Sequence, residues 1–325
     1  MVIIIPKTRW FSIINSPGFL NYFILLRWFF RITRAVFVAF LGKEWYNGGT
    51  EQPFIGRRIA MFSGFTVVDF HTHPFMTPEQ NVCFYPECCP MSAADTRERL
   101  TALGYSAICG SVLSVKRTGA DTRWEDVQAL NDAALNLREQ YGEFYVPGFH
   151  VHPAFVEESC REIRRMSREG VRLMGELVPY WHGWDDYADA RLSAILDVAE
   201  EHGMVVSIHT MNDDSMDAMV AAHPRLTVVA AHPGEKPTFE RHLKRMDRSE
   251  NYYLDISGTG LFRHGLLRHG IDAHGATRFL YGSDYPICNP AMFLGGVALD
   301  DTLTPDEKRL ILAGNAGRLL GLTSN

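Results

Sequence analysis

The sequence predicts an α/β fold, a closed (β/α)8 barrel preceded by a hydrophobic, amphipathic helical extension. Three observations predict it. From about Phe65 onward, eight short apolar runs alternate with amphipathic segments of helical length. Isolated His and Asp residues stand at or just past the C-terminal ends of those runs, where barrels carry their reactive groups. The 325 residues hold one barrel of about 250 residues with an extension to spare. We therefore expect two parts, an extension over residues 1–60 and a barrel over 61–325.

The strand candidates are Phe65–His71, Tyr105–Leu113, Glu143–His150, Val171–Leu177, Met204–His209, Leu226–His232, Tyr252–Ser257 and Arg278–Ser283. Between them, Ser92 and Asp95 form a cap-like helix start, and Trp124–Tyr141 reads as the second helix. Glu157–Glu169, Ala188–His202, Asp214–Ala222, Glu235–Arg248 and Leu261–Ala273 follow. Thr304-Pro305-Asp306-Glu307 is a capping box with proline at the first helical position, opening a helix that Gly321 ends. Strand–helix alternation implies parallel strands joined by right-handed crossovers. An open doubly wound sheet has the same alternation. It would not gather residues from its first, fifth and eighth strands, whereas a closed barrel sets the first and eighth side by side.

Residues 19–41 are mostly apolar, but Arg27, Arg31 and Arg34 fall on one helical face. Each would cost about 2.5–3.5 kcal/mol near the middle of a bilayer, which excludes a spanning helix. No small-residue cleavage site follows, which argues against a signal peptide. The expectation is an amphipathic helix buried on the barrel or in a homo-oligomer interface, with peripheral membrane contact as the second reading. A net charge of −6 and a pI near 6.1 argue against a nucleic-acid partner. Six scattered cysteines do not form a disulfide scaffold, and Cys83, Cys88 and Cys89 lack the spacing of a zinc knuckle. A reducing cytoplasm is the expected compartment. The long loop from Thr72 to Met91 is expected over the barrel mouth.

His71 and His73 are two apart at the end of a strand-like run, so both imidazoles share one face and can serve one ion. Glu176, His209, His232 and Asp284 then recur in order at later strand ends. Four imidazoles and two carboxylates suit zinc, with Mn2+ or Fe2+ as other options, as one ion or two. Glu176 has a structural salt bridge as its other reading. Asp284 is set between Gly282-Ser283 and Pro286, in place to bind metal or take a proton. Asp69 is in phase with the histidines and either orients an imidazole from behind or hydrogen-bonds inside the barrel. His150 and His152 repeat the spacing after the third strand and could orient substrate or enclose a second metal, or have no ligand role. Tyr180, Trp181, His182 and Trp184 suit a pocket wall. His264, His269 and His274 read as surface residues.

These residues resemble the amidohydrolase superfamily of metal-dependent TIM-barrel enzymes, in particular its amidohydrolase-related branch. The motifs are Asp69-Phe70-His71-Thr72-His73, Gly175-Glu176-Leu177-Val178-Pro179-Tyr180, Ser207-Ile208-His209-Thr210, Ala231-His232-Pro233-Gly234-Glu235, Tyr281-Gly282-Ser283-Asp284-Tyr285-Pro286 and the terminal Gly314-Asn315-Ala316-Gly317-Arg318-Leu319-Leu320-Gly321-Leu322. The resemblance implies that His71, His73, His209 and Asp284 ligate metal. It implies for His232 either a second-metal ligand or a free acid, and for Glu176 a carboxylate bridging two ions. The leading expectation is a hydrolase that uses a metal-bound hydroxide on a small amide, ester, lactone or phosphoester, with Asp284 and His232 catalytic. The alternative is a mononuclear non-oxidative decarboxylase or hydratase of a carboxylated aromatic or muconate-like acid, with Arg117 or Arg263 gripping the carboxylate. A non-catalytic barrel scaffold is the third class.

Overall fold

The computed structural model describes residues 64–89 and 91–322. The expected helix over residues 19–41, its oligomer or membrane role and the boundary near residue 60 lie outside the described residues. Among the described residues no helix is long and apolar enough to cross a membrane.

Eight parallel strands lie in chain order: β1 Val67–Asp69, β2 Tyr105–Ser111, β3 Tyr145–Phe149, β4 Leu173–Leu177, β5 Val205–His209, β6 Thr227–Ala231, β7 Tyr252–Asp255 and β8 Phe279–Leu280. Every expected strand is present. Most are trimmed at their ends, and the seam between the first and last shows why. Asp69 turns its carboxylate onto the backbone, accepting the N–H of His71 at 3.2 Å and of Ser283 at 2.9 Å. Those donors are lost to the ladder, so β1 and β8 are short. The chain beyond them still closes the barrel. Phe70 N–H donates to Tyr281 O at 2.9 Å, Asp284 N–H to His71 O at 2.8 Å and His73 N–H to Tyr285 O at 2.7 Å.

The helices are α1 Ala93–Ala102, α2 Trp124–Tyr141, α3 Val156–Arg168, the short α4 Pro179–His182, α5 Ala190–Glu201, α6 Asp213–Ala222, α7 Lys236–Arg248, α8 Leu266–His274, α9 Pro290–Ala298, α10 Pro305–Arg309 and α11 Asn315–Leu320. Ser92 caps α1 with Asp95, and Thr304 caps α10 with Glu307, as the capping signals predict. Two expectations need correction. The helix expected from Leu261 begins at Leu266, because Gly265 takes a left-handed conformation (φ +80°). The last helix is also broken, by a π turn over Leu310–Gly314. There the carbonyl of Ile311 accepts the N–H of Tyr281, which β8 does not pair, and a diverted carbonyl widens a helix locally. Ala316, Leu319 and Leu320 of α11 join Val68, Phe70, Cys109, Leu173, Val205 and Val229 in one buried apolar cluster. The C-terminal helix is thus tied to the strands that end at the site. Cys109 is buried, Cys160 is half-buried, and all six cysteines are free thiols.

Candidate metal centre

The strand ends bring the expected residues into two clusters that share Glu176. In the first, the Nε2 atoms of His71 and His73 lie 3.4 Å apart. Each is 3.2 Å from Glu176 Oε2, and they are 3.6 and 3.5 Å from Asp284 Oδ1. A tetrahedral ion with bonds of about 2.0–2.2 Å spaces its ligand atoms roughly 3.3–3.6 Å apart. The donors are therefore set at the edges of such a polyhedron, and their chemistry fits a borderline divalent cation. In the second cluster, Glu176 Oε1 is 3.0 Å from His209 Nδ1 and 3.7 Å from His232 Nε2. His209 thus groups with Glu176 and His232 rather than with the His71–His73–Asp284 set that the resemblance implies. Glu176, His71, His73 and Asp284 are buried; His209 and His232 are partly open.

The backbone is forced at two of these positions. His232 and Asp284 take positive φ values of +69° and +59°. Such conformations cost on the order of 1–3 kcal/mol each in non-glycine residues and persist where the surroundings over-determine them. Gly258 makes room for His232, since a Cβ there would stand 2.3 Å from its Nδ1.

Electrostatics follow from packing carboxylates and imidazoles into a dry site. Burial works against a charged His71, but Glu176 and Asp255 prevail and hold its pKa well above the usual value. Burial also disfavours the Glu176 anion, yet His71 and the hydrogen bonds from His209, His71 and His73 pull its pKa well down. His232 is lowered, chiefly by burial. A divalent cation would compete for the place of the proton that His71 and Glu176 share.

Of the two readings of Asp69, the hydrogen bonds fit the one inside the barrel: its Oδ1 accepts the backbone N–H of His71 and of Ser283, burial pushes its carboxyl up to about 7, and Oδ2 has no partner among the described residues. The residue behind His71 is Asp255, at the end of β7, whose Oδ2 accepts from His71 Nδ1 at 2.9 Å. Ser257 lies beside it, and the carbonyl of Ser111 accepts from His73 Nδ1 at 3.0 Å. Sequence reading missed these three. Asp255 obeys the strand-end rule that found the others, whereas a backbone carbonyl has no signature in sequence.

The second His-x-His pair is buried against backbone. His150 Nε2 donates to Val112 O at 2.8 Å, and His152 Nε2 to His182 O at 3.0 Å. Burial pulls His150 to about 4 and His182 to about 3, so both rings are neutral at physiological pH. Neither His150 nor His152 joins a group of metal-type donors among the described residues. Tyr180 packs edge-on against His209 (5.2 Å between centroids), and Arg117 stacks over Tyr180 and Trp181 at 5.0 and 4.4 Å. Arg263 is exposed and pairs with the equally exposed Glu235 at 3.0 Å. His264 and His269 are exposed as expected, but His274 is half-buried, 3.7 Å from Asp247.

The comparisons agree with this architecture. The family model described as amidohydrolase matches residues 68–322. Among solved structures, a 2,6-dihydroxybenzoate decarboxylase from Rhizobium is 16% identical over 79% of this chain and 99% of that chain, with a TM-score of 0.62. A dihydroxybenzoic acid decarboxylase from Polaromonas sp. JS666, solved with bound manganese and the inhibitor 2-nitroresorcinol, is 16% identical over 80% and 98%, at 0.63. A protein from Pseudomonas putida assigned as a 2-pyrone-4,6-dicarboxylic acid hydrolase is 20% identical over 80% and 99%, at 0.55. At these identities the likeness establishes the barrel. No curated protein matches the sequence. With the family model matching residues 68–322 of the 325, the chain belongs to the amidohydrolase family.

Proposed function

We propose that the chain is a hydrolase of a small amide, ester, lactone or phosphoester that works with two divalent ions, zinc as the default. The observation that carries this reading is the division of Glu176. Its Oε2 faces His71 and His73 while its Oε1 faces His209 and His232, as a carboxylate shared by two ions must. Ions held there would lower the pKa of water toward ~7 and polarise a carbonyl or phosphoryl oxygen. The chain's own part is proton handling and positioning. Asp284 Oδ1 stands beside the first cluster and can take the proton of attacking water, then return it to the leaving group. His232 Nε2, 3.7 Å from Glu176 Oε1, would hold the second ion together with His209. On the β2–β4 side, His150 Nδ1 and His182 Nε2 are buried and without partners among the described residues. Neutral groups there suit an uncharged part of the substrate, which favours an amide, ester or lactone.

One observation favours decarboxylation. Arg117 has no carboxylate partner among the described residues and stacks on Tyr180 beside His209, where it could meet a substrate carboxylate. Metal content and turnover decide together. Protein purified with zinc is assayed on p-nitrophenyl acetate, bis(p-nitrophenyl) phosphate, benzamide and γ-butyrolactone, and on 2,6-dihydroxybenzoate with CO2 detection. Two equivalents of zinc with hydrolysis of any of the first four are expected. One equivalent with CO2 release would replace this reading by the decarboxylase.

A further inference from the structure

Behind the two clusters lies a hydrogen-bond arrangement whose proton count has one solution. Asp255 is fully buried at the end of β7. Its Oδ2 accepts from His71 Nδ1 at 2.9 Å. Its Oδ1 accepts the backbone N–H of Ser257 at 3.0 Å and also the Ser257 hydroxyl. The Oγ of Ser257 is itself 3.0 Å from Nδ1 of His71 and 3.0 Å from Nδ1 of His232. A carboxylate only accepts, and Oδ1 already takes two donors from Ser257 while Oδ2 faces the ring nitrogen of His71. The proton between Asp255 and His71 therefore belongs to Nδ1. The single hydroxyl proton of Ser257 goes to Asp255, so Oγ can only accept from the rings. His232 must then carry its proton on Nδ1 as well.

We infer that Asp255 and Ser257 act as one positioning clamp that fixes the proton of a histidine in each cluster on Nδ1, so that both Nε2 lone pairs are available to ions that take the place of the proton shared with Glu176. The inference rests on the reading that these clusters bind ions. Packing holds the clamp in register. The His71 and His232 rings stack at 5.2 Å with 27° between planes. A Cβ at position 258 would strike the His232 ring, and one at 282 would come within 2.7 Å of His71 Cβ and 3.3 Å of Asp255 Oδ1. The two members have unequal reach. Asp255 touches His71 directly and His232 through Ser257, while removal of the Ser257 hydroxyl leaves the His71–Asp255 bond in place.

The test is zinc affinity by chelator competition on the full chain, wild type against Asp255→Asn, Ser257→Ala and Ser257→Thr. Loss of an orienting partner typically weakens a metal site roughly 10–100-fold. Asp255→Asn should weaken both ions by that factor. Ser257→Ala should weaken only one, and Ser257→Thr, which keeps the hydroxyl, should restore it. Equal weakening of both ions in Ser257→Ala, or unchanged affinities in Asp255→Asn, overturns the clamp. If Asp255→Asn does not fold, the Ala and Thr pair at position 257 still decides. The second readout is the ring N–H signals of 15N-histidine-labelled zinc protein. Hydrogen-bonded Nδ1–H signals from both His71 and His232, with only that of His232 displaced in Ser257→Ala, support the clamp; a proton on Nε2 of either overturns it. Should wild type bind one equivalent, the two-ion reading falls and these signals judge the clamp alone.

Discussion

The motif His-x-His occurs twice at strand ends, and its two copies do different things. After β1, His71 and His73 turn their Nε2 atoms toward the carboxylates of Glu176 and Asp284. After β3, His150 and His152 turn theirs onto carbonyls of Val112 and His182. All four rings are buried. A carbonyl fixes an imidazole as a neutral donor, whereas a carboxylate holds its proton or yields the place to a cation. The spacing of a motif thus says that two rings can act together, and the neighbours decide as what.

The sharpest way to break this comparison is to delete one ring from each copy. His73→Ala should abolish activity and lower bound metal while the fold survives, since the residue sits at the barrel mouth. His152→Ala should keep full metal content. Metal analysis and a thermal melt on both variants decide it; near-normal turnover of His73→Ala without metal would end the proposed mechanism. Asp284→Asn and His71→Ala should behave as His73→Ala does. Next in size, Glu176→Gln should release one ion and keep the other, because a neutral amide bridges poorly. Unchanged metal content would make Glu176 a structural partner of His71 and strengthen the decarboxylase alternative.

The third test uses protons. His150, His182 and His242 are buried neutral, at about 4, 3 and 3, below the ordinary 6.5. Below pH ~6.5 the unfolded chain takes up protons that the folded chain does not, so stability falls as pH drops toward 4. The slope is about 1.4 kcal/mol per pH unit for each histidine, and roughly 4 for the three together at most. Denaturant midpoints at pH 7.5, 6 and 5 measure it. Replacing His242 by Gln should flatten the curve, and an unchanged curve would show that the ring is not buried neutral. The smallest effect is expected for His150→Gln, with a KM increase of roughly 2–10-fold, the worth of one neutral hydrogen bond, at unchanged kcat and metal content. Loss of metal in that variant would erase the distinction between the two copies.

Much of the fold is legible in the sequence because its signals are local. Alternating apolar runs specify strands one by one, and Ser92 and Thr304 announce their helices through side chains that cap the adjacent backbone. The spacing of His71 and His73 fixes their shared face, because the strand period is two. What the tertiary structure decided depends on residues far apart in the chain. Ile311 gives its carbonyl to Tyr281 and so breaks a helix that its own sequence would continue. Glu176 divides its oxygens between β1 and the β5–β6 pair, and Asp255 rather than Asp69 stands behind His71. Chain order can name the groups that reach the barrel mouth, but hydrogen-bond direction and ligand grouping are set across the ring of strands, where only closure of the barrel brings the partners within reach.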